Sequence, residues 1–313
     1  MSFLVIVLSL LITATWLQGF DRFDDTWFSR YQRGLRSAGR QVLGDSENAS
    51  IAGLVAAYIL LLAFVWLLQV LAAGLLYGLI TMALHVLVLL FAMDRTQPST
   101  LAKDFFALWQ TEDLSACESY LRRELSLGEA AALRSPRQIA RQFKRLLIYR
   151  SFERMFMMYT LYMLLGPSGV VLGYVSYQLR FDLRAEGESE LANRVGLLIH
   201  WLEWLPLRLL ALTFALVGDF NQCYGELRRG VWASETGQAN SERLLAWAQH
   251  AVCDPSLAAD QVEEEGQAEM AQSEGASQQA SELAVQEVQA LRGLLERSQL
   301  VWLVVFALLT VVA

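Results

Sequence analysis

Apolar residues in this chain come in blocks, not in the regular alternation of a soluble domain. Residues 51–93 hold no Asp, Glu, Lys or Arg over 43 positions. A hydrocarbon core of roughly 30 Å takes about 20 apolar residues in a helix. The stretch therefore predicts two membrane helices with a tight hairpin near Ala72–Gly74. Tyr58, Trp66 and Tyr77 mark interface or packing positions, and His85 falls inside the second helix. Residues 3–17 form a shorter apolar start ending at Trp16 and Gln18, readable as a first span or as an interfacial helix. It has no basic leader and no small-residue cleavage site, so it is not read as a cleaved signal peptide.

Three further apolar blocks follow. Residues 155–179 are interrupted at Gly166-Pro167-Ser168-Gly169. That break predicts either a kinked span or two half-helices that re-enter on the same side. Residues 180–194 form a short charged connector. Residues 195–218 have the length of a span, yet enclose His200, Glu203 and Arg208, with Pro206 freeing the carbonyl of Leu202. His200, Trp204 and Arg208 recur at i, i+4 and i+8, and Glu203 is within reach of His200 at i+3. Ionisable groups in hydrocarbon must meet one another, a cavity or headgroups, unless the helix tilts and they snorkel to water. Residues 298–313 give a short final span.

Between the blocks lie polar segments of different character. Residues 20–50 carry Arg30, Arg33, Arg36 and Arg40 at helical spacing, with Trp27, Tyr31 and Leu35 on another face. They read as a surface-lying amphipathic helix or as a solvated connector. In 94–154, Ser126-Leu127-Gly128-Glu129 and Ser135-Pro136-Arg137-Gln138 match helix starts. Beyond the second, Ile139, Phe143, Leu146 and Leu147 oppose Arg137, Arg141, Lys144 and Arg145. Such a basic amphipathic helix favours anionic lipid or an anionic ligand. Residues 254–281 are rich in Glu, Gln, Ala and Ser and read as a flexible acidic linker, with helical pattern resuming at Glu282.

Composition sharpens this picture. The chain is 55% hydrophobic and 18% charged, against about 25% charged in ordinary soluble domains. The net charge of −7 is unevenly spread: 94–154 holds eleven Lys/Arg against eight acids, and 219–297 holds five Arg against fourteen acids. By the positive-inside rule the loop 94–154 is cytoplasmic, as are 20–50 and 219–297, and both termini face the periplasm.

The expected fold is an all-α polytopic integral membrane protein with about four spans, two broken or re-entrant helices and cytoplasmic helical loops. Its parts are a first helix (1–19), an amphipathic connector (20–50), a hairpin (51–93), a basic cytoplasmic region (94–154), broken helices (155–218), an acidic cytoplasmic region (219–297) and a last helix (298–313).

Recognisable catalytic chemistry is missing from the sequence. There is no GxxxxGK[ST], GxSxG or HExxH. Cys117, Cys223 and Cys253 are scattered, as are the three histidines, so no metal or cofactor is expected. Basic residues do not interleave with aromatics as a nucleic-acid surface requires.

Leu202-Glu203-Trp204-Leu205-Pro206-Leu207-Arg208-Leu209, followed by an apolar run ending at Gly218, resembles the AmpE family of bacterial inner-membrane proteins. The early hairpin, the basic loop, Gly166 and Leu172-Gly173-Tyr174 agree in position. The resemblance implies an inner-membrane regulator linked to β-lactamase induction and cell-wall stress. A more distant similarity to the cobalamin-pathway amide synthetases CobD/CbiB implies an enzyme ancestor, for which Glu153, Asp182 and Glu203 would gather around Mg. In those synthetases the stretch matching Arg150-Ser151-Phe152-Glu153-Arg154 is rich in acids. A third reading is transport of a cell-wall intermediate, since broken helices line transporter midplanes. On the regulatory reading, the expected ligand site is Arg208, Glu203 and Trp204 with His200 and Arg154, shaped by Pro206, Gly166 and Pro167. Its expected partners are membrane lipids, an anionic cell-wall-derived ligand, and a protein bound through 94–154 or 254–297.

Overall fold

A computed structural model describes residues 2–15, 26–44, 47–73, 78–93, 98–111, 113–124, 135–218, 220, 225, 240–252 and 274–312. The expectations placed on Trp16, Gln18, Gly74, Tyr77, 126–129, Cys223 and 254–273 lie outside these residues. No strand occurs among the described residues. The helices are α1 (Ser2–Thr15), α2 (Thr26–Leu43), α3 (Glu47–Ala72), α4 (Leu79–Ala92), α5 (Pro98–Trp109), α6 (Leu114–Glu124), α7 (Pro136–Ser151), a π-helical turn (Phe152–Met157), α8 (Met158–Ala185), α9 (Ser189–Val217), α10 (Asn240–Val252) and α11 (Glu274–Val312).

Four helical runs are long and apolar enough to cross a membrane: Ala49–Ala72, Gln138–Ala185, Ser189–Val217 and Val285–Thr310. The protein is thus an all-helical polytopic membrane protein. The distribution of lengths departs from expectation in four places. Helix α4 has 14 residues, about 21 Å at 1.5 Å each, which is short for the second arm of a spanning hairpin; α1 is equally short. The connector expected over 180–194 shrinks to the turn 186–188, because α8 runs on to Ala185 and α9 begins at Ser189. Helix α11 starts at Glu274, inside the expected linker, since its Ala, Gln and Glu residues favour helix. The last apolar run therefore belongs to a 39-residue helix and not to a short isolated span.

The chain divides into two compact units, one of residues 1–95, 154–206 and 306–313, the other of 96–153 and 207–305. In the first, Phe28, Leu54, Val175, Leu179, Leu183, Leu191 and Ile199 share a core. Here α2 lies directly against α3. A methyl group on Gly53 would come within 2.8 Å of the Arg36 Cα, and one on Gly39 within 2.8 Å of the Ala49 carbonyl oxygen. Only glycine permits that approach.

Arg36 is accordingly not a headgroup-facing residue of a surface helix. It is 6% exposed and donates to Glu186 and to Glu188 (3.0 Å), while Gln32 Nε2 donates to Glu186 (3.2 Å) and Ser29 Oγ to Asp182 (2.9 Å). Arg30, Arg33 and Arg40 stay exposed, as an amphipathic helix requires.

Helix α8 contains the sharpest backbone feature. Gly166 has φ 65° and ψ −154°, a conformation essentially restricted to glycine. Beyond it the chain folds back. The position a Cβ would take on Gly169 lies 2.5 Å from the Leu161 carbonyl oxygen, and that on Gly173 lies 2.7 Å from Leu161 Cδ1 and 3.5 Å from Met158 Sδ. In an unbroken helix residues 158 and 173 stand about 22 Å apart. Of the two alternatives, the structure takes two half-helices packed on each other, not a kinked rod. The apolar run Gln138–Ala185 is therefore long in sequence but does not extend in one direction.

In the second unit, Leu101, Phe105, Cys117, Leu121, Ile139, Phe143, Leu147 and Val288 form the core. Phe105 and Phe143 stack at 3.8 Å. Ser135 Oγ accepts from the Gln138 N–H and Pro136 opens α7, as the sequence predicts. Asp113 caps α6, accepting from the Ser115 hydroxyl (2.6 Å) and from the Ser115 and Ala116 amides (3.0 Å each).

Candidate functional site

Helix α9 buries one stripe, made by Ile199, Glu203, Leu207, Leu210 and Phe214. Glu203 is 1% exposed, the one carboxyl within that stripe. Its Oε1 accepts from the Tyr177 hydroxyl of α8 at 2.7 Å. The i+3 spacing gives Glu203 a reach toward His200 on its own helix; the structure turns it to α8 instead, where a phenol offsets the cost of burying it. Trp204 lies on the exposed side of α9 with Trp201, and the half-buried His200 ring stands edge-on to Trp201 at 6.4 Å. Apolar side chains Leu197, Trp201, Leu205, Leu209, Leu212 and Leu216 make up the rest of that side. Such a face suits lipid tails.

Pro206 is buried and α9 continues through it. The division between the two units falls at this residue. Arg208, in the second unit, is part-exposed, and the positive charge of Arg243 on α10 acts on it. An anion nearby would offset that repulsion, and arginine offers it bidentate geometry.

Arg154 lies in the π-helical turn that leads into α8 and is 6% exposed. Below it the first unit pairs polar groups across apolar helices. His85 Nδ1 and the Tyr162 hydroxyl are 2.9 Å apart, Tyr58 donates to Ser176 (3.0 Å), and Gln69 donates to Ser168 beside the Gly166-Pro167 reversal (3.4 Å). These bonds satisfy polar side chains where water is scarce and join helix to helix. His85 thus packs against Tyr162 and shares a hydrogen bond with it.

The acids that amide synthesis would need are occupied separately. Glu153 pairs with Arg150 at 3.6 Å, Asp182 accepts from Ser29, and Glu203 accepts from Tyr177. Among the described residues no three His, Cys, Asp or Glu side chains gather as metal ligands.

The basic helix α7 also departs from expectation. Lys144 pairs with Glu287 of α11, and Arg145 with Glu242 of α10 at 3.0 Å. Acids from the late, negative part of the chain take up half of the basic side that the sequence offers to lipid or ligand. Sequence reading missed Tyr177, Arg243, Glu186 and Glu188 as partners. The signal for Tyr177 was present: Ser176-Tyr177-Gln178 is a polar triplet within an apolar run.

No curated protein and no solved structure matches the chain. The family model described as regulatory signalling modulator protein AmpE matches residues 9–272. That span takes in the early helices, the reversal at Gly166 and the whole of α9 with its Trp204–Arg208 motif, so the chain belongs to the AmpE family of regulatory signalling modulator proteins.

Proposed function

We propose that this protein is a multi-pass regulator of the bacterial inner membrane that modulates β-lactamase induction and the response to cell-wall stress by binding an anionic ligand or lipid at Arg208. The observation carrying the reading is the positive charge of Arg243 acting on Arg208 in the C-terminal third of a membrane-length helix. Trp204 anchors that helix at the polar boundary, and Pro206 sets its course ahead of Arg208. Glu203 holds α9 to α8 through Tyr177 and so acts as a positioning residue. The basic region, the acidic region or both also contact a protein partner. On this reading the large loops are cytoplasmic and both termini periplasmic.

The test is induction of β-lactamase in cells expressing Arg208→Ala, Arg243→Ala or Pro206→Ala at normal membrane abundance. Losing one charge-assisted bidentate contact weakens an anion's affinity by roughly tenfold or more. Induction is expected to shift for Arg208→Ala and Arg243→Ala together. Unchanged induction in all three variants overturns the reading.

The fold-back at Gly166 favours a second reading, transport of a cell-wall intermediate, because half-helices of this kind line transporter sites. Uptake of muropeptides into proteoliposomes distinguishes it; no flux removes it. The synthetase reading has less support, since its three acids each have other partners.

A further inference from the structure

The acids around the turn between α8 and α9 are taken by other groups. Asp182 accepts from Ser29, Glu186 and Glu188 are held by Arg36, and Glu190 pairs with Arg194. Arg180, in the same unit, is part-exposed, and its Nε is buried without a hydrogen-bond partner. The side chain lies across Gly196 of α9, where an added Cβ would meet only Arg180 Nε, at 3.9 Å. A guanidinium N–H taken out of water with no acceptor costs free energy, and native proteins seldom leave one so without a reason. Nε alone of its three side-chain nitrogens is closed off in this way, so a ligand needs no cavity to reach the other two. Arg180 also marks a polar boundary. Residues 155–179 before it hold no Asp, Glu, Lys or Arg, and after Arg194 on α9 the next such residue is Glu203. Phe181 beside Arg180, Leu197 beside Gly196, and Trp201 one turn further along α9 are all exposed.

We propose that Arg180 holds the phosphate of an anionic phospholipid on the outer surface of the α8–α9 hairpin, with the acyl chains lying along Leu197 and Trp201. A guanidinium presents a fork of N–H groups that matches two phosphate oxygens. The level fits a headgroup, because charged sequence gives way to apolar sequence at Arg180 and exposed apolar side chains lead inward from it. Those side chains select a lipid over a free phosphate, to which they offer no contact. A headgroup of net negative charge balances the guanidinium, whereas a zwitterionic one brings a cation of its own. The site shares no residue with Arg208 and Arg243 and does not depend on an anion being bound there.

The experiment uses the full chain in phosphatidylcholine nanodiscs that carry a trace of phosphatidylglycerol with a photoreactive group at the headgroup end of one acyl chain. Matching nanodiscs carry photoreactive phosphatidylcholine instead. After illumination, peptide mass spectrometry reads the labelling of residues 181–201 in the parent protein, Arg180→Gln, Arg180→Lys and Arg194→Gln. Labelling by the phosphatidylglycerol probe is expected to fall about tenfold in Arg180→Gln. It is expected to persist in part in Arg180→Lys, which keeps the charge, and to stay unchanged in Arg194→Gln, whose cation already pairs with Glu190. Excess unlabelled phosphatidylglycerol should compete, and inorganic phosphate should not. Equal labelling of parent and Arg180→Gln overturns the proposal. So does equal labelling of the parent by the two probes, or competition by inorganic phosphate as strong as by phosphatidylglycerol. Because this readout needs no induction assay, it fails or stands apart from the role of Arg208.

Discussion

Residues in this protein matter chiefly through the partner each one finds. Glu203 reads in sequence as a neighbour of His200, and its burial on the inner stripe of α9 gives it Tyr177 instead. Tyr177→Phe removes this hydrogen bond to a buried carboxyl. It should lower stability by about 1–3 kcal/mol, seen as a lower unfolding midpoint in detergent, and Glu203→Gln, which keeps an acceptor, should lose less. Asp113 shows the same dependence at the surface. The Ser115 hydroxyl and the Ala116 amide favour its charged form and hold its pKa below the ordinary 3.8. A lowered pKa stabilises the fold above the unfolded value, and that contribution fades as pH falls through the lowered one. Amide exchange at Ser115 and Ala116 should therefore quicken as pH drops below about 4, after correction for the intrinsic rate. Asp113→Asn should keep the cap but lose the pH dependence. Next to it, burial and then the Asp113 charge push the Cys117 thiol up, so it stays protonated and unreactive at neutral pH.

Elements were legible in the sequence where hydrophobic length decided them, and less so where packing did. The uncharged stretch 51–93 forms α3 and α4 as its composition requires, and Ser135-Pro136 starts α7. The break at Gly166-Pro167 was visible, but its outcome was not. Two half-helices fold together because Gly169 and Gly173 have no side chains to keep Leu161 and Met158 away, a consequence that appears only in three dimensions. Helix α2 shows the same limit. Its arginine spacing suits a surface helix, yet Gly39 and Gly53 bring it onto α3 and draw Arg36 inward to Glu186 and Glu188. The basic side of α7 was read as open because its acidic partners lie about a hundred residues or more later in sequence. Lys144 and Glu287 are both largely buried. Lys144→Ala leaves Glu287 without its partner and should cost about 3 kcal/mol. Exchanging the two, Lys144→Glu with Glu287→Lys, should recover most of that loss in a chemical-unfolding series.

For the molecule as a whole, the charge asymmetry along the chain is resolved inside the second unit. The −7 average conceals a basic region and a strongly acidic one, and two ion pairs join them. The candidate site was legible only in part. His200, Trp204 and Arg208 stand on successive turns of α9 as their spacing dictates, but Arg243 and Tyr177 come from other helices, whose packing on α9 the helical spacing does not give. The path of α8 through the first unit rests on its reversal at Gly166. The most direct test replaces the native cysteines, keeps Gly173, introduces Met158→Cys and Leu172→Cys beside it, and treats the protein in membranes with a short bifunctional thiol reagent before peptide mass spectrometry. The account predicts an intrachain 158–172 cross-link in high yield. No cross-link, with both thiols still labelled singly, contradicts it, because that is the result of a continuous helix holding the two positions about 21 Å apart.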